Sequence, residues 1–202
     1  NEIVFPAAIL QSPFFDAKAD PALNYGGIGA VIGHEMLHGY DDQGSQFDAE
    51  GNNNNWWTPA DLKAFQARTG KLVAQFDDYV AINDPKEGAL HVKGQLTLGE
   101  NIADLGGLTV AYDALQRDLT NKKMAAIDGF TQDQRFFMNW ATVWRRNFTP
   151  DELKVRLNTD PHSPAAFRAN GAPSNLPAFA AAFSCKVGDG MVRADDKRVT
   201  IW

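Results

Sequence analysis

Residues 34–38 read His-Glu-Met-Leu-His, and they lie inside the apolar run from Ile28 to Tyr40. On a helix, side chains four residues apart stand one above the other on the same face, so His34 and His38 can reach one tetrahedral metal ion. With only four histidines in 202 residues, the pattern arises by chance in roughly two of a thousand chains of this composition. The bland alternative, a pair of satisfied core histidines, would also have to bury Glu35 between them, which is costly for a carboxylate. Glu35 is instead the expected base beside a metal-activated water.

A catalytic zinc takes three protein ligands and leaves a fourth position open, so the spacing predicts a third ligand elsewhere in the chain. Glu100 is the candidate. It belongs to the run Leu98-Gly99-Glu100-Asn101-Ile102-Ala103-Asp104-Leu105-Gly106-Gly107, in which Glu100 and Asp104 share one helix face a turn apart. Glu100 would bind the metal while Asp104 accepts the free ring N–H of a ligand histidine and fixes its tautomer. A competing reading makes Thr97-Leu98-Gly99-Glu100 a capping box, with Glu100 merely satisfying a backbone amide. Gly106-Gly107 favours the first reading. Each glycine costs ~1 kcal/mol relative to alanine inside a helix, which implies a helix pressed against another backbone, and the histidine helix is the expected neighbour.

The rest of the chain sets bounds. Its length suits one domain over 1–202 with a core of its own. No stretch approaches the ~20 apolar residues of a membrane span, so no membrane contact is expected from this segment. A net charge of −6 with pI near 5.1 provides no basic stripe and argues against a nucleic-acid partner. The single cysteine, Cys185, has no internal partner. Asn1 to Phe5 reads like the middle of a strand without a signal segment before it; the expectation is the carboxy-terminal portion of a longer protein. Helix starts are signalled at Thr58-Pro59, Thr131-Gln132, Thr149-Pro150 and Ser163-Pro164, where a hydroxyl can cap free amides. Leu62, Phe65, Leu72, Val73, Phe76 and Val80 predict a helix from about 59 to 79, and Phe136, Phe137, Trp140, Val143 and Trp144 a later one. Strand signals are confined to Ile3–Phe5 and residues 90–92. The class is mainly α with a small β-sheet.

Taken together, Val-Ile-Gly-His-Glu-Met-Leu-His-Gly-Tyr-Asp at 31–41 and Gly-Glu-Asn-Ile-Ala-Asp at 99–104 resemble the signatures of the neprilysin and endothelin-converting-enzyme family of zinc endopeptidases. The similarity extends to Asn1–Ala7, Pro13-Phe14-Phe15, Asn24–Gly29, Trp56-Trp57-Thr58, Thr159–Pro164 and Trp202, essentially the whole chain. It implies a zincin catalytic domain of the thermolysin-like, Glu-zincin type. It also implies that Arg168 grips a substrate carbonyl on the leaving-group side and that His162 stabilises the tetrahedral intermediate, roles that suit a planar guanidinium and a positioned imidazole. Arg168 in that role would be dispensable for stability. From the residues alone, His162 reads as a loop histidine beside a helix start. The family's apolar pocket for the residue after the scissile bond maps onto Phe14, Val31, Val143 and Trp144, which are equally good core residues.

The sequence departs from the animal members at Gly70 and Val199, where these carry a mutually bonded cysteine pair, and at Arg145, which replaces another cysteine; a cysteine-poor version looks bacterial. Cys185 retains a family position whose partner lies in an amino-terminal part outside this chain. The resemblance implies peptide substrates, the amino-terminal domain of the same protein as a partner, an extracytoplasmic location (secreted, periplasmic or membrane-anchored) and self-association of this segment through faces that the other domain would cover. Two rival functions remain at this stage. A non-hydrolytic zinc module that binds peptides or partner proteins has no use for Glu35, and an exopeptidase needs a site for a free substrate amine that nothing here resembles.

Overall fold

The computed structural model describes residues 2–120, 122 and 125–202. Eight helices and one hairpin are found among them: α1 (Pro21–Asn24), α2 (Ala30–Leu37), α3 (Pro59–Asp77), β1 (Val80–Asp84), β2 (Gly88–His91), α4 (Leu98–Asp118), α5 (Gln132–Val143), α6 (Pro150–Thr159), α7 (Ala165–Gly171) and α8 (Pro177–Ala182). A π-helical turn, Tyr25–Gly29, joins α1 to α2. Strands β1 and β2 pair antiparallel with Ile82 opposite Leu90. The class is therefore as expected.

Helix α4 is the axis of the molecule. Leu98, Ile102, Leu105, Leu108, Ala111 and Leu115 are all at most 5% exposed, so it buries more than one face and its sequence lacks a polar stripe along most of its length. Helix α5 packs across it through Phe136, Phe137 and Trp140, with Tyr112 ringed by the two phenylalanines at 5.4 and 5.5 Å. Burying aromatic side chains of this size stabilises by roughly 2–3 kcal/mol each. Asn139 on α5 donates to the Leu23 carbonyl at 2.6 Å, which ties the lead-in of α2 to the same core. Helix α3 is locked to the carboxy-terminal segment by a reciprocal amide pair, Gln75 with Asn175, at 3.0 and 2.9 Å.

Three helix starts follow the capping chemistry. The hydroxyls of Thr58, Thr131 and Thr149 accept the amides of Asp61, Gln134 and Glu152, leaving fewer orphan donors at each helix end. Ser163 does not cap. Its hydroxyl donates to Asn101 Oδ1 at 2.8 Å instead, and α7 begins without a side-chain cap. The capping box at Thr97 is absent too: no side-chain bond caps α4, because Glu100 turns toward the histidines. Ile3–Phe5 is not a strand; Val4 is 72% exposed and the segment pairs with no described residue, and an extended segment without a ladder partner has nothing to satisfy its backbone. Val80 lies beyond the end of α3 as the first, exposed residue of β1. The second strand ends at His91, one residue short of the buried Val92.

Candidate metal centre

Helices α2 and α4 touch through glycine. A Cβ at Gly33 would lie 2.6 Å from the Gly107 carbonyl oxygen, and one at Gly107 would lie 2.7 Å from His34 Cα. This contact presses the backbone carrying His34 onto the helix that carries Asp104 and Glu100, about one turn and two turns earlier. The histidine pair therefore meets Glu100 at the seam. His34 Nε2 and His38 Nε2 are 3.0 Å apart, and Glu100 Oε2 and Oε1 stand 3.2 and 3.6 Å from them respectively.

Those three separations test the fit of a metal. A zinc–nitrogen distance of about 2.0–2.1 Å in a tetrahedron requires ligand atoms about 3.3 Å apart. The three gaps bracket that value. The other ring nitrogens also face carboxylates, as ligand histidines need. His38 Nδ1 is bonded to Asp41 Oδ2 at 2.8 Å. His34 Nδ1 lies 2.8 Å from Asp104 Oδ1, a close charge contact whose N–H is not well aligned as a hydrogen bond. Charge balance points the same way. Glu100 and Asp104 face one guanidinium, Arg168, and Asp41 faces His38, so three carboxylates surround the histidine pair with one fixed cation among them, a balance that suits a divalent ion. Without a metal, burial lowers the His34 pKa but Asp104 and Glu100 outweigh it and hold the ring at about 9. Burial likewise raises Asp104, yet Arg168 and His34 bring it down to about 2.

Asp41 is a site residue that spacing arguments passed over. It is 5% exposed; Oδ2 holds His38 while Oδ1 accepts the amides of Gln43 and Gly44 at 2.8 and 2.7 Å, so it both ends the histidine helix and fixes the ring of His38, a candidate ligand. Its signal was the aspartate three residues after His38. Asp160 was missed in the same way. Its Oδ1 takes His162 Nδ1 at 2.8 Å and the His162 amide at 2.9 Å, which aims His162 Nε2 at Glu100 Oε1, 3.3 Å away. The neighbouring Ser163 hydroxyl, through Asn101, anchors that loop to the start of α4.

Arg168 sits 7% exposed on α7 and departs from the expectation of a free substrate clamp. Its Nε and Nη2 form a two-pronged pair with Asp104, both at 2.7 Å, and the guanidinium lies 4.0 Å over the Trp144 ring. Nη1 bonds to no described residue, so one corner is available to a ligand. Trp144, His162 and Arg168 line a cavity of about 460 Å³. Phe14, Val31 and Val143 are half-buried and do not line it. Glu35, between the two histidines in sequence, is exposed and bonds to no described residue.

The chain matches the model of peptidase family M13 over residues 1–199. The chain belongs to peptidase family M13. Neprilysin-1 of Caenorhabditis elegans is 43% identical over 207 residues, all of this chain and 27% of that protein. Human endothelin-converting enzyme 1 is 44% identical over 196 residues, 95% of this chain and 24% of that protein. Among solved structures, the zinc metalloprotease Zmp1 of Mycobacterium tuberculosis, in complex with an inhibitor, superposes with a TM-score of 0.97 at 50% identity, covering 100% of this chain and 31% of that one. PepO from Lactobacillus rhamnosis gives 0.83 at 40%, covering 98% and 29%. The fold is thus the zincin type of the M13 peptidases, and this M13 chain spans about a quarter to a third of the length of the relatives it matches.

Proposed function

We propose that this chain is the catalytic portion of a zinc endopeptidase that hydrolyses internal bonds of oligopeptides. The single observation that carries the reading is the triangle of His34, His38 and Glu100 atoms with tetrahedral edge lengths, set beside an exposed and unpartnered Glu35. A zinc ion held by those three residues would supply Lewis-acid polarisation of the scissile carbonyl and acidify the attacking water. Glu35 takes the proton of that water as its oxygen bonds to the carbonyl carbon, and returns it to the amide nitrogen as the C–N bond breaks. His162, braced by Asp160, faces the charge that develops on the carbonyl oxygen. Asp104 and Asp41 hold the ligand rings in place. The free corner of Arg168 and the Trp144 wall position the leaving-group side of the peptide.

The reading extends to the expected partners: peptide substrates, the remaining domain of a longer protein, and an extracytoplasmic location. No described helix is long and apolar enough to cross a membrane. A non-hydrolytic zinc module has no chemical use for Glu35. Glu35→Gln tests the choice. In the protein at the length of its relatives it should keep one zinc per chain and lose at least about 1,000-fold in kcat, since the amide cannot take a proton. Turnover near that of the parent would remove Glu35 from its role.

A further inference from the structure

The cavity beside the metal centre has a charge pattern that the hydrolytic step leaves unused. Its wall runs from His162 and Arg168 past Trp144 to Phe148, Arg146 and Arg156, and Asp160 is the one carboxylate among its lining residues. Phe148 is flanked by two guanidiniums, Arg146 Cζ at 4.7 Å and Arg156 Cζ at 5.0 Å from the ring centre.

The cations are not equally compensated. The charge of Arg168 is matched by Asp104 through Nε and Nη2. Arg156 is held between Glu152 Oε1, at 2.9 Å, and Asp160 Oδ2, while the other Asp160 oxygen is occupied by His162. Arg146 has only a 3.9 Å contact to the same Glu152 oxygen that Arg156 already binds, and its side chain is 57% exposed. An exposed pair of that kind contributes about 0–1 kcal/mol, so it exchanges readily for another carboxylate. The face of Phe148 fixes where the guanidinium stands, at little further entropic cost.

We propose that Arg146, resting on Phe148, is a specificity determinant that selects peptides carrying a carboxylate on the leaving-group side, beyond the residue seated against Trp144. The proposal rests on the peptidase reading above, and its direction along the peptide follows from the free corner of Arg168. Two sources carry the same chemistry, an acidic side chain and the peptide's own terminal carboxylate.

The test is binding to the zinc-loaded chain, independent of turnover, with peptides anchored at the metal by a hydroxamate: hydroxamate-Leu-Glu-amide, hydroxamate-Leu-Gln-amide, hydroxamate-Leu-Gln with a free carboxylate, and hydroxamate-Leu-Lys-amide. At least one carboxylate probe should bind about 2–5-fold tighter than the neutral amide, and the margin should shrink between about 0.05 and about 0.5 M salt. Which of the two gains identifies the source. Arg146→Gln should level the series, and Arg146→Glu should turn it in favour of the lysine probe, with the neutral probe shifting less than about two-fold in either variant. Equal affinities in the parent chain, or a preference that survives Arg146→Gln, would overturn the proposal while leaving the peptidase reading intact. Failure of every hydroxamate to bind the zinc-loaded chain would overturn that reading and the proposal with it.

Discussion

Asp104 is 3% exposed and carries Arg168 on both oxygens with His34 against one of them. Removing the guanidinium leaves a buried carboxylate with one cation too few, which typically destabilises by about 3–5 kcal/mol. Arg168→Met is therefore expected to lower Tm by roughly 10 °C in a domain of this size, whereas a residue that only held substrate would leave Tm unchanged. The double variant Asp104→Asn/Arg168→Met should recover part of the loss, because it removes the uncompensated charge. A single variant melting with the parent would mean that the pair contributes nothing to the fold. Glu100 differs in that it also stands within ligand distance of both histidines, as a candidate ligand, besides its looser contact with Arg168. Asp41→Asn should weaken zinc binding by about 10–100-fold, as expected for a group that orients a ligand, and Glu100→Gln by more, because a neutral amide is a poor ligand for this ion. Equal zinc retention by all three proteins after dialysis against a weak chelator would argue against this ligand set.

At the level of elements, the α2–α4 contact and the interior of α3 make opposite predictions for the same change. A Cβ at Gly107 would meet His34 Cα at 2.7 Å and Gly33 C at 2.8 Å, so Gly107→Ala forces the helices apart and should cost about 1–3 kcal/mol despite the helix propensity it gains, with a loss of zinc affinity as His34 moves. Gly70, within α3, would place a Cβ in open space, and Gly70→Ala should stabilise by up to ~1 kcal/mol. Thermal denaturation of the two variants decides; a stabilised Gly107→Ala would show that the helices do not need the close approach. The glycine pair was legible because it is expensive in a helix unless something presses on it. The threonine caps at 58, 131 and 149 were legible because the hydroxyl and its amide are neighbours in sequence. Ser163 was not. Its hydroxyl found Asn101, 62 residues away, and no local pattern encodes that choice. Ile3–Phe5 failed for a related reason: strand propensity is local, but a strand exists only where a partner lies beside it.

On the scale of the whole molecule, the candidate ligands His34 and His38 and the candidate base Glu35 were readable because they follow one another at a fixed helical spacing, and Glu100 because a second motif had the right side-chain pair. The braces Asp41 and Asp160 bond side chains only three and two residues away, whereas the double use of Arg168 emerges only when α4 and α7 converge on one point. That convergence concentrates negative charge, and a divalent ion should stabilise the fold it completes. At a free zinc concentration about 1,000 times Kd, linkage gives about 4 kcal/mol, or roughly 8–16 °C in Tm for a domain of this size. Zinc that leaves Tm unchanged would show the site is not coupled to folding. Turnover is a separate matter. Ile32, Met36 and Tyr40, on the side of the histidine helix that also carries Glu35, are 40, 52 and 54% exposed, so water has free access to that side, and the peptide is held only along the Trp144 side among the described residues. A substrate misplaced by ~1 Å can react ~100-fold more slowly, and exclusion of water strengthens every charge interaction at the centre. The zinc-loaded chain should thus cleave a quenched fluorescent peptide at least about 100-fold less efficiently than the protein at the length of its relatives, and its exposed apolar face should promote self-association, visible in solution mass. Equal kcat/KM for the two lengths would mean that this segment alone holds and shields the peptide, and that the open face of α2 is the complete substrate surface.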